Sequence, residues 1–165
     1  MTDSSNNKMP VPTEQQLWQF SLALYPKVQQ LCLDWQDSFG LNVNLLLLLC
    51  YLEQQQCSLN GQQLEQLAAK LVSFSRQFTQ PLRQLRRHSS NASLPAAQQQ
   101  QLMQTLLQAE LSLEQLEQQL LLESCPPLTA SRQPLIERYL SALNAQSQAL
   151  TAQIIDLRQA IKRLS

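Results

Sequence analysis

From Leu41 to Leu52 the chain reads LNVNLLLLLCYL, apolar at nearly every position beyond Asn44. A helix that is apolar on all sides can be stable in water only inside a shell of other elements. Asn42 and Asn44 interrupt the run, and it falls well short of the roughly 20 residues that cross a bilayer. It therefore predicts a buried central helix, capped by Asn42 and ending near Gln56, and the rest of the chain must cover it. Two glycines in 165 residues, few aromatics and an excess of Leu and Gln argue against sheets as that cover. Helices remain.

Start and stop signals divide the chain accordingly. Thr13 with Gln16 forms a capping-box start for a first helix carrying Leu17, Trp18, Phe20, Leu22 and Leu24. Pro26 fits the first turn of a second helix, whose stripe of Leu31, Cys32, Trp35 and Phe39 ends at Gly40, a left-handed C-cap. Asn60 caps a helix from Gly61 through Leu64, Leu67, Leu71 and Phe74, which Pro81 should kink or restart. After a linker from His88 to Leu94, Pro95 opens a long helix that Cys125, Pro126 and Pro127 stop. Its Leu102, Leu106, Ala109, Leu113, Leu116 and Leu120 alternate at spacings of four and three, as do Ile136, Leu140, Leu143, Ser147, Leu150, Ile154, Leu157, Ile161 and Leu164 in the last segment. The expected architecture is all-α with about six helices. A flexible tail at 1–12 precedes a single domain at 13–165, made of a compact cluster over 13–87 and a long, coiled-coil-like antiparallel hairpin over 95–164.

Twelve basic and twelve acidic residues cancel, so no global field draws the chain to nucleic acid or a membrane. The polar start lacks a secretory n-region and h-region, and Cys32, Cys50, Cys57 and Cys125 show no metal-type spacing. These features predict a cytoplasmic protein with reduced thiols and without a metal or other cofactor. No nucleophile motif, no Gly-rich phosphate loop and a single histidine, His88, leave ordinary enzyme chemistry without its parts.

Two constellations carry some functional content. Arg83, Arg86 and Arg87 lie at the end where an antiparallel hairpin would return Arg158, Lys162 and Arg163, giving a basic pole able to dock an acidic protein surface or a phosphate backbone. Such a hairpin would also bring Glu110, Glu114, Glu117 and Glu123 near Arg132 and Arg138. Asn44, at the head of an apolar helix, needs a bonding partner, and Gln36 and Asp37 across the Gly40 corner are the nearest in sequence. That corner is either structural or the polar end of a pocket.

The segment LWQFSLALYPKVQQLCLDWQDSFGLNVNLLLLLCYL also resembles the opening of an uncharacterised family of short bacterial proteins classed as a domain of unknown function. The likeness rests on Leu17, Trp18, Phe20 and Ser21, on Tyr25, Pro26 and Val28, on Cys32, Leu33, Gln36, Asp37 and Gly40, and on Val43, Asn44, Leu46 and Leu47. It implies a helical protein and carries no activity with it. The leading expectation is a non-enzymatic adaptor that binds a larger protein through its hairpin or basic pole. A small-molecule binding or catalytic bundle using the Asp37 and Asn44 corner, RNA or ribosome association, and homodimerisation through the last helix are the alternatives.

Overall fold

A computed structural model describes residues 8–164, and those residues are helical throughout except for one two-stranded ribbon and the connections. Helix α1, Glu14–Phe39, starts at the Thr13 capping box and ends at Gly40, whose φ of 69° is the left-handed conformation a C-cap asks for. Pro26 does not begin a new helix here. The chain runs through it and breaks at Val28 (φ −129°), because the ring displaces a carbonyl one turn earlier and the strain is released just beyond.

Helix α2, Val43–Gln54, is the centre. Every residue from Asn44 to Cys50 is buried, and α1, α5, α6 and α7 pack around it. Its N-cap is Asn42, whose side chain accepts a bond from the Leu45 N–H at 3.0 Å. Helix α3, Gly61–Phe74, starts at a second capping box, Asn60 with Gln63, and buries Leu64, Leu67 and Leu71. Before Pro81 the backbone widens into a π-turn, Ser75–Thr79, and continues as α4, Gln80–His88. The wide turn moves a carbonyl out of the path of the proline ring, so the helix bends instead of stopping.

Helix α5, Ala96–Ser124, matches the long helix read from the sequence, but its partners do not. It lies along α3 and α4 and also touches α1 and α2. The last segment is not one helix: α6, Leu135–Ala142, and α7, Thr151–Lys162, are separated by Asn144 (φ 61°) and a 3₁₀ turn, Ser147–Leu150. The expected coiled-coil-like hairpin is therefore replaced by two short helices that fold over α2. A straight helix of about 30 residues would be about 45 Å long, whereas α2, with 12 residues, offers about 18 Å of apolar surface. A break lets α6 and α7 both cover it.

The expected flexible tail at 1–12 lies outside the described residues as far as residue 7. From residue 8 onward the chain is tied down. Strand β1, Lys8–Met9, pairs antiparallel with β2, Leu128–Thr129, while Met9 and Val11 pack against the core.

Candidate functional site

The interior face of α5 carries acids where its leucine spacing predicts a seam. Its buried residues are Glu110, Glu117, Gln118 and Leu121, whereas Ala109 and Leu116 are exposed. Their polar groups, all but the Gln118 Oε1 oxygen, which is buried without a partner among the described residues, bond to groups brought by other parts of the chain. Arg83 Nε of α4 donates to Glu110 Oε1 at 3.1 Å, and Arg86 of the same helix holds the other oxygen of Glu110. Arg83 Nη2 stands 3.8 Å from Glu114 Oε1. One turn further along, Asn42 Nδ2 donates to Glu117 Oε1 at 2.7 Å, and the Asn42 N–H donates to the Tyr139 hydroxyl at 2.8 Å. Gln118 Nε2 donates to both Ser21 Oγ at 2.9 Å and Asn44 Oδ1 at 3.1 Å.

Low-dielectric surroundings give this seam its electrostatics. Burial, followed by the neighbouring Glu110 charge, pushes the Glu114 carboxyl up to about 7, against the lowering effect of Arg83. Burial also raises the Tyr25 and Tyr139 hydroxyls. A carboxyl poised near neutrality could act as a general acid or base. Yet neither of the two hollows described below reaches Glu114, and its neighbours are the Arg83 guanidinium and other acids. The arrangement clamps α4 and α5 onto α1 and α2.

A second ion cluster joins the other helices. Arg158 of α7 donates to Glu53 of α2 (Nε to Oε1, 2.9 Å) and to Glu137 of α6 (Nη1 to Oε2, 2.7 Å), and the Ile136 N–H caps Glu53 Oε2 at 3.0 Å. Hydrogen bonds to these two acids raise the Arg158 guanidinium, and Arg158 in turn lowers Glu137. Beside the cluster is a hollow of about 480 Å³ that includes Arg132, Arg158 and Lys162. Another, of about 300 Å³, lies between α4 and α5 and is walled by Leu85, His88, Ala92, Leu102 and Leu106.

The residues singled out from the sequence are thus distributed differently. Arg83 and Arg86 bind α5 acids, Arg158 binds α2 and α6 acids, and the two clusters share no partner. Arg87, Lys162 and Arg163 are exposed. Asn44 is buried and bonded to Gln118, whereas Asp37 is exposed and Gln36 half-buried, its backbone carbonyl accepting the Gly40 N–H. Glu110, Glu114 and Glu117 face α4 and Asn42 instead of Arg132 and Arg138, and Glu123 is exposed. The available sequence signal was complementary charge: Arg83 and Arg86 share one face of α4, and an α5 without a basic residue follows it.

Buried thiols at Cys32, Cys50 and Cys57 and the half-buried Cys125 are all unbridged, and burial raises each of them. Among the described residues no group of three or more His, Cys, Asp or Glu side chains could hold a metal ion. No described helix is long and apolar enough to cross a membrane.

A family described as a protein of unknown function (DUF2390) matches residues 16–121. The chain belongs to the DUF2390 family. No curated protein and no solved structure matches it. The DUF2390 span runs from the start of α1 through Leu121 of α5, so it encloses the seam and the hollow between α4 and α5. Helices α6 and α7, with Arg158, lie beyond it, and the hollow beside Arg158 straddles its limit, with Glu53, Gln54 and Gln56 inside the span.

Proposed function

We propose that this DUF2390 protein is a cytoplasmic, non-enzymatic adaptor that receives an acidic amphipathic helix of a larger protein partner on the arm formed by α4 and the first half of α5. One observation carries the reading: this arm is apolar, basic and without a core of its own. Helix α4 buries no residue, and α5 buries none before Glu110. Phe78, Leu85, Leu94, Met103 and Leu107 are all exposed, and Leu85 lines the hollow with Leu102 and Leu106. Exposed apolar side chains concentrated in one stretch of the chain support a contact surface. Between residues 66 and 109 the chain has no acidic residue; the exposed Arg87 lies on the arm, and the exposed Lys70 and Arg76 precede it on α3 and the π-turn. A partner helix with an apolar stripe and acidic flanks complements both features.

The competing readings have less support. Arg83, Arg86 and Arg158 spend their charge on internal carboxylates, which removes half of the cations an RNA-binding role would use. Asn44 Oδ1 is taken by Gln118, which leaves a small-molecule site at the Gly40 corner only Asp37 and Gln36.

A photo-crosslinking residue placed at Leu85 or Met103 tests the proposal in cells, with the exposed Asp37 position as reference. Crosslinks at 85 and 103 to an acidic segment of another protein, absent from 37 and lost with Arg87→Glu, are the expected result. Equal labelling from all three positions, or products made only with RNA or a second copy of the chain, would overturn it.

A further inference from the structure

Helices α4 and α5 leave a hollow of about 300 Å³ between them, bordered by the 3₁₀ turn Ser89–Asn91 that follows α4. Leu85 of α4, Leu102 and Leu106 of α5 and Ala92 of the connection supply its apolar walls. Ser89 stiffens the turn. Its hydroxyl donates to the Arg86 carbonyl at 2.6 Å, and its own carbonyl accepts from the Ala92 N–H at 3.2 Å and from Gln99 Nε2 of α5 at 2.7 Å. The hollow is therefore preformed, and a guest orders little backbone on entering it.

Two polar side chains share the lining, His88 and Asn91, and neither has a side-chain hydrogen bond or ion pair among the described residues. An apolar hollow with free polar groups at its edge suits a side chain that is apolar in its body and polar at one end. Size narrows the choice. At about 30 Å³ for each water-sized atom it holds about ten non-hydrogen atoms, which matches an indole on its methylene and is roughly twice a leucine side chain. A smaller guest would forfeit dispersion contacts along the walls. A buried indole N–H needs an acceptor, and Asn91 Oδ1 or a ring nitrogen of neutral His88 offers one. We propose that this hollow is the socket for a single tryptophan of the partner helix, with the ring between Leu85 and the α5 leucines and its N–H on Asn91 or His88. The inference rests on the adaptor reading for the molecule that carries the tryptophan. Acidic flanks of that helix meet no like charge here, since no carboxylate lines the hollow and the exposed Arg87 stands beside His88 in the chain.

Amide NMR shifts of the isotope-labelled full chain, titrated with N-acetyl-tryptophanamide and N-acetyl-leucinamide, test the socket without any partner. The tryptophan amide is expected to shift residues 88–92, Leu102 and Leu106 saturably, with a Kd of about 1–10 mM, and the leucine amide to bind at least about fivefold more weakly. Ala92 has extended backbone (φ −70°, ψ 136°) that any residue adopts, so Ala92→Phe should plug the hollow and remove the response. His88→Ala with Asn91→Ala should weaken the tryptophan amide about fivefold and leave N-acetyl-phenylalaninamide, whose ring has no N–H, unchanged. Shifts confined to other residues, equal binding of the leucine amide, full binding by Ala92→Phe or undiminished binding by the double variant would each overturn the socket. Cellular crosslinks from position 103 separate it from the adaptor reading. Their loss in Ala92→Phe supports the socket, whereas crosslinks that persist in Ala92→Phe keep the adaptor and overturn the tryptophan anchor. A chain with Ala92 intact that forms none overturns the adaptor, and with it the partner assigned here.

Discussion

Glu114 is the residue whose environment most clearly leaves a measurable trace. Its carboxyl is raised to about 7 from an ordinary 4.5, so the folded chain holds a proton there that the unfolded chain has released. Between those values the folded state binds more protons, and stability falls as pH rises. The contribution is complete below the ordinary carboxyl range and gone once pH passes about 7. Urea titrations at about pH 5 and about pH 8 should differ by about 2 kcal/mol from this group alone. Glu114→Gln should flatten that difference; an unchanged pH slope would mean that Glu114 titrates normally. Asn44 behaves differently, because its role is to satisfy Gln118. Asn44→Ala leaves a buried amide N–H without its acceptor and should cost about 1–3 kcal/mol. Combining it with Gln118→Leu should cost clearly less than the sum of the two single changes, and additivity in that cycle would remove the coupling.

At the level of elements, the caps were the most legible part of the sequence. Thr13 with Gln16, Asn42, Asn60 and Gly40 all terminate helices where their chemistry places them, because a cap is decided by a few neighbouring residues. The buried run from Asn44 to Cys50 was legible for the same reason, since its composition admits one environment. Partner choice was not. The leucine spacing of α5 and of the last segment fits a hairpin equally well, and only the three-dimensional placement of Arg83, Arg86 and Asn42 turns the glutamates of α5 inward. The break at Asn144 has no glycine or proline to announce it. Asn tolerates φ > 0 but at some cost, so Asn144→Gly should stabilise the fold by a few tenths up to about 1 kcal/mol. Gly40→Ala is the converse: nothing lies within 4 Å of an added Cβ, so only backbone strain opposes it. A loss of about 1 kcal/mol in denaturation is expected, and a neutral result would show that the α1 to α2 corner relaxes freely.

Across the whole molecule, cohesion is uneven. Helix α2 is enclosed by α1, α5, α6 and α7, whereas α4 and the first half of α5 bury no residue and are fastened by the ion pairs to Glu110 and Glu114. Regions with few buried contacts open at lower free energy than the core. Amide hydrogen exchange should therefore rank α2 as the slowest element and residues 80–108 among the fastest helical ones. Glu110→Ala strands Arg83 and Arg86 beside Glu114 with half of their counter-charge gone, and truncating one partner of a buried pair costs about 3–5 kcal/mol. Because Glu110 belongs to the arm's attachment and not to α2, that cost should appear first as faster exchange in α4 and residues 96–109, with α6 and α7 unaffected. If exchange instead accelerated uniformly through α2, α6 and α7, the arm would be an integral part of the core, and its exposed leucines would have to be explained without a partner.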